Sequence, residues 1–109
     1  MAVCASRADV SPNAVKEAVV AGVPVVGTQV GGIPDYVHPN RNGILCEGGN
    51  VEAMTQAILS ACQNPMFRLG AVDRETLAAM RSYLSAEAMA SRFKETYFLA
   101  LDEARTRAK

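Results

Sequence analysis

Apolar residues along this chain fall into two kinds of run. Short, nearly uninterrupted ones occur at "AVCAS" (Ala2–Ser6), "PVVGT" (Pro24–Thr28) and "ILC" (Ile44–Cys46). Each reads as a strand, and the unbroken apolar character of the second suits a parallel strand covered on both faces. Longer stretches with helical period lie between and after them. "SPNAVKEAVVAG" reads as a helix with Ser11 as N-cap, Pro12 at the first helical position and Gly22 just past the end. Pro24 then blocks continuation.

"VGGIPDYV" is a glycine loop running into about one helical turn, and "HPNRNG" (His38–Gly43) is a turn before the third strand. Asn50 is expected to cap a helix from about Val51 to Gln63, with Val51, Met54, Ile58 and Ala61 on one face. Asn64–Pro65 ends it and starts another helix reaching to near Leu84. Ser85 caps the last helix, where Met89, Phe93, Tyr97 and Leu101 recur every four residues and are expected to be core. The tail "DEARTRAK" reads as a solvated helix end.

Strand, helix, strand, short helix, strand, then helices: this alternation predicts an α/β fold with right-handed crossovers, a partial Rossmann-like parallel sheet of about three strands flanked by helices. The 109 residues make one domain, 1–109. Three strands are few for such a sheet, and "AVCAS" would leave an apolar edge that invites another chain. Two outcomes are open: a homodimer or a partner subunit covering that edge, or a monomer whose own helices cap it.

Composition narrows the function. Half of the residues are hydrophobic, and eleven basic residues balance eleven acidic ones. A neutral chain without a basic face argues against nucleic acid and anionic membranes as partners. The longest apolar run, Ala18 to Gly27, carries Gly22 and Pro24 and is about half of what a membrane span needs, so no direct membrane insertion is expected. Cys4, Cys46 and Cys62 have no close ligand spacing, and His38 is the single histidine, so no metal site is expected. Three half-buried thiols in a reducing cytoplasm fit this usage, and no basic-then-apolar leader opens the chain. Cys4 has no evident base to activate it, and His38 reads as an exposed loop residue. "GVPVVGT" lacks the lysine of a phosphate loop and lies across a strand, and no Gly-x-Gly-x-x-Gly occurs.

The candidate chemistry lies at Asp9 and Glu17. Asp9 sits in the exit of the first strand, on the rim where open parallel sheets bind ligands. The helix that follows presents unpaired amides and a positive dipole end at that rim. Glu17 lies one turn beyond Asn13 on the same side. Carboxylates on either side of an anion site suit a sugar–diphosphate–nucleoside, because each accepts hydrogen bonds from hydroxyls. On spacing alone the plainer account is the stronger: Glu17 as a solvated helix position beside Lys16, and Asp9 as part of a turn.

The ordered stretch "SRADVSPNAVKEAVVAGVPVVGTQVGGIPDYV" resembles the donor-binding segment of the group 1 (family 4) retaining glycosyltransferases of GT-B fold, with two acids separated by seven residues, a "G-x-P-V-V" strand and a "G-G-x-P-E" loop. "NRNGILCEGGNVEAMTQAI", "NPMFRLG" and "SAEAMASRFKETY" are similar to the segments that follow in that family, so the resemblance covers about residues 3 to 100. It implies that Glu17 holds ribose hydroxyls and Asp9 the donor sugar, as the catalytic-site acids. Val10, Ser11, Pro12, Asn13, Ala14 and Val15 match the segment whose amides meet the diphosphate. Gly31 and Gly32 match the cleft loop, with Asp35 at its acidic position.

The resemblance further implies transfer from a nucleotide-sugar donor by front-side displacement, without metal or cofactor. Asp9 is one bond shorter than the family's glutamate, about 1.5 Å less reach, and Ala86 stands where tryptophan is usual. Only half of a GT-B C-terminal domain is matched, so the N-terminal domain and the basic groups for the leaving diphosphate are expected to be missing. Weak donor binding and no turnover are expected of the chain alone. The alternative is a non-catalytic α/β module for self-association or partner binding.

Overall fold

A computed structural model describes residues 1–8 and 12–108. The elements in chain order are β1 (Ala2–Cys4), α1 (Asn13–Ala21), β2 (Val25–Thr28), α2 (Ile33–Tyr36), β3 (Gly43–Cys46), α3 (Val51–Gln63), α4 (Pro65–Leu69), α5 (Arg74–Tyr83) and α6 (Ala86–Ala108). The strands form one parallel sheet in the order β1-β2-β3, with Val3, Val26 and Ile44 side by side across it. The expected α/β architecture is therefore present.

The middle strand explains the layers. All four residues of β2 are buried, and alternation sends neighbouring side chains to opposite faces. Val25 joins Val15, Val19, Ile33 and Val37 beneath α1 and α2. Val26 joins Ala57, Ala61 and Phe67 beneath α3 and α4. Glycine at position 43 is required by contact: a β-carbon there would fall on the Val25 carbonyl and lie 2.6 Å from Val37 Cγ1.

Caps set most boundaries. Gly22 takes a left-handed conformation (φ 78°) and its N–H closes α1 onto the Ala18 and Val19 carbonyls. The Asn50 side chain accepts from the Ala53 N–H, and Asn64 ends α3 while its Oδ1 accepts from Met66 N–H to open α4. Asn42, buried in the turn before β3, accepts from the His38 N–H at 2.7 Å and donates to the Tyr36 carbonyl at 2.9 Å.

Several expectations need correction. The helix expected from Pro65 to near Leu84 is two helices, because Gly70 at φ 64° ends α4 and Asp73 caps α5 through Thr76. Pro12 stands at the N-cap rather than inside α1. The cap assigned to Ser11 lies outside the described residues, as do Asp9 and Val10. Val51 is 83% exposed and borders the rim recess instead of joining the core. On β1, at the sheet edge as expected, Val3 is 49% exposed: it stands on Val26's face, but α3 packs over β2 and β3. The stripe on α6 is not core, with Phe93 75% exposed. Among the cysteines, Cys62 is exposed while Cys4 and Cys46 are half-buried, and burial pushes the Cys46 thiol above its ordinary value.

Candidate functional site

The rim at the carboxyl ends of the strands is cross-tied. Thr28, ending β2, donates its hydroxyl to the Ser6 carbonyl at 2.6 Å. Gln29 N–H donates to the Cys46 carbonyl at 2.7 Å, joining the β2 and β3 exits. The Thr28 bond holds Ser6, in the segment that leaves β1, beside the sheet. A recess of about 250 Å³ opens on this rim, lined by Arg7, Thr28, Glu47, Asn50, Met54 and Thr55 among others. Glu47 accepts from the Asn50 amide at 3.1 Å, so carboxylate and cap are joined. Arg7 adds a cation that the sequence reading passed over, although it lies in the same strand exit as Asp9.

On the other side of the sheet, α1 begins its hydrogen-bonded ladder with Lys16 N–H to the Pro12 carbonyl at 3.0 Å. The amides of Asn13, Ala14 and Val15 therefore stand ahead of that ladder, where a helix meets anions. Pro12 is buried and supplies no side-chain cap. Asn13 and Ala14 are exposed, whereas the Val15 side chain is 2% exposed, so only its backbone can face a ligand. Gly31 is exposed at φ 53°, which glycine tolerates best, and Gly32 is the buried residue that opens α2. Ile33 next to it packs in the same cluster as Val15, so the glycine loop and the first turn of α1 converge. Asp35 is exposed on α2.

Glu17 is exposed on α1 one turn beyond Asn13. It lines a separate, mostly apolar groove of about 360 Å³ with Lys16, Val20, Ala21, Leu84 and Met89. That groove is framed by long-range ties. Arg81 Nε donates to the Val20 carbonyl at 2.9 Å, pinning α5 to the end of α1. Lys16 Nζ lies 5.4 Å from the Tyr36 ring centroid, Tyr36 packs on Tyr83 at 6.4 Å, and the Arg92 guanidinium covers Tyr83 at 4.1 Å. The far wall thus comes from residues nearly seventy positions away, with no local signal at Glu17. Glu17 and Arg7 line different recesses, and the relation of Glu17 to Asp9 lies outside the described residues.

Among the described residues no cluster of three or more His, Cys, Asp or Glu could hold a metal ion. No described helix is long and apolar enough to cross a membrane.

A parallel sheet with helices on both faces, and with a glycine loop and a helix start converging at its rim, is a Rossmann-like arrangement. The sequence model described as "Glycosyl transferases group 1" matches residues 1–64, and the chain belongs to that family. The matched span contains Asp9, Glu17, Gly31 and Gly32. A curated relative, N-acetyl-alpha-D-glucosaminyl L-malate synthase of Bacillus anthracis, is 27% identical over 82 residues. The alignment takes in 75% of this chain, which spans 21% of that relative's length. Sucrose-phosphate synthase from Thermosynechococcus elongatus superposes with a TM-score of 0.72 at 24% identity, over 93% of this chain and 26% of its own. Its likeness places this chain's fold with GT-B.

Proposed function

We propose that this chain, as one domain over 1–109, forms the nucleotide-sugar donor site of a retaining glycosyl transferase. Glu17 accepts hydrogen bonds from the ribose hydroxyls and Asp9 from those of the donor sugar. The amides of Val10, Ser11, Asn13, Ala14 and Val15, with the turn set by Pro12, meet the diphosphate, and Gly31 and Gly32 let backbone come close to it. One observation carries this reading: the family match spans both acids and both glycines in one ordered series, and Glu17 is exposed one turn beyond the amides that open α1. In the complete enzyme, residues outside this chain stabilise the departing diphosphate and bind the acceptor, and displacement proceeds on the donor's front side. No metal or cofactor enters the scheme. The cytoplasm as its compartment rests on the three free thiols.

Thermal unfolding with UDP-, GDP- and ADP-sugars tests this reading. A ligand at about ten times its Kd adds about 1.4 kcal/mol of stability, enough to move Tm by several degrees. The expected result is a concentration-dependent rise with one nucleotide series that Glu17→Gln abolishes. Indifference to all three series, or a rise that Glu17→Gln leaves intact, would overturn it.

A second reading, a non-catalytic module for self-association, draws on one observation, the exposed apolar side of α6.

A further inference from the structure

The 23-residue α6 meets the body of the protein near its start, against α5 and the groove beside α1. Arg92 stacks on Tyr83 and donates to the Tyr83 carbonyl at 2.8 Å, with half-buried Ala88 one turn before it. The opposite side carries Ala90, Phe93, Tyr97, Leu101 and Ala104 at three- and four-residue spacing. Phe93 and Tyr97 are 75% and 55% exposed, a large apolar surface for one helix.

We propose that this side of α6 pairs with α6 of a second copy of the chain, antiparallel and centred on Tyr97. The order of residue types is the argument. Phe93 and Leu101 lie four positions either side of Tyr97, and Ala90 and Ala104 seven positions either side. Antiparallel pairing about Tyr97 sets Phe93 against Leu101 and Ala90 against Ala104, so large apolar groups meet at the centre and small ones at the ends.

Charge chooses the direction. Glu87 and Arg105 are exposed, with no ion pair of their own among the described residues. They are 105 − 87 = 18 residues apart, about five full turns, so both project from the same flank of the stripe. Their midpoint is position 96, one residue from the apolar centre. An antiparallel two-fold pair brings like flanks together, so Glu87 of each copy lies beside Arg105 of the other, twice per dimer. In a parallel two-fold pair opposite flanks meet, so Glu87 and Arg105 of one copy would lie across the seam from those of the other and gain no pairing.

Sedimentation of the 109-residue chain over a concentration series tests the pairing. A monomer–dimer equilibrium is expected, and Tyr97→Glu, at an exposed position, should leave a folded monomer with unchanged circular dichroism. Glu87→Arg or Arg105→Glu alone should weaken the dimer roughly three- to tenfold, and the two together should restore it. In a Cys62→Ser background, mixing Phe93→Cys with Leu101→Cys protein under mild oxidation should give the 93–101 disulfide in preference to 93–93. A chain that stays monomeric throughout overturns the proposal. So does a dimer indifferent to Tyr97→Glu, which would place the contact at the β1 edge, or a preponderance of 93–93 linkage, which would make the pair parallel. None of these readouts depends on donor binding.

Discussion

Replacing Asn42 with alanine should cost this domain a large part of its stability, although the residue touches no candidate ligand group. Asn42 is 2% exposed, and its side chain serves two backbone groups that no strand or helix satisfies: the His38 N–H at 2.7 Å and the Tyr36 carbonyl at 2.9 Å. Its own carbonyl accepts from Val25 N–H at 3.1 Å, so the same residue locks the turn against β2. Truncation leaves one donor and one acceptor unpaired, each worth about 1–3 kcal/mol when buried. His38 is half-buried, so water can recover part of the donor's loss, and the sum falls at about 2–4 kcal/mol. Against a total of about 5–15 kcal/mol for a domain of this size, that is a shift urea denaturation followed by circular dichroism reads clearly, at unchanged m-value. Asn40→Gly is the matched control: it lies in the same turn, is exposed, and holds a left-handed φ of 66° that glycine accepts, so it should move stability by less than about 0.5 kcal/mol. A loss below about 1 kcal/mol for Asn42→Ala, or equal losses for the two variants, would refute the hydrogen-bond account.

Gly43→Ala should destabilise by about 3 kcal/mol, because the added methyl meets the Val25 carbonyl and Val37 and must push β3 off β2. Denaturant titration showing a loss under about 1 kcal/mol would mean that the strand yields freely. The Asp73 carboxyl is held below its ordinary value of 3.8, first by the Thr76 hydroxyl, then by the Thr76 N–H, with Arg41 adding a smaller pull. A lowered folded value means that this contribution is complete above the unfolded value and is lost as pH falls through the folded one. Asp73→Asn, which keeps an N-cap oxygen but cannot titrate, should therefore flatten the fall of Tm below about pH 4, and parallel acid limbs for the two proteins would count against that linkage.

What the chain's order of residues settled was local. The three strands, the Gly22 terminus, the Asn50 cap and the Asn64–Pro65 break all sit where side-chain chemistry and backbone conformation act within a few residues. The Gly70–Asp73 break was written in the same code, a left-handed glycine followed by Asp-x-x-Thr, but continuous helical periodicity on both sides masked it. The acids at 9 and 17 and the glycines at 31 and 32 were legible as an ordered series with a family likeness, and the family match covers them.

Tertiary structure alone decided what each side chain meets. Period four marks one side of α6 yet carries no information about which side the body covers, and Arg92 on Tyr83 settled it in favour of the polar side. The groove beside Glu17 exists because Leu84 and Met89 return from far along the chain, held there by the Arg81 bond to Val20. Burial is a property of pairs of surfaces, and a sequence specifies only one member of each pair at a time.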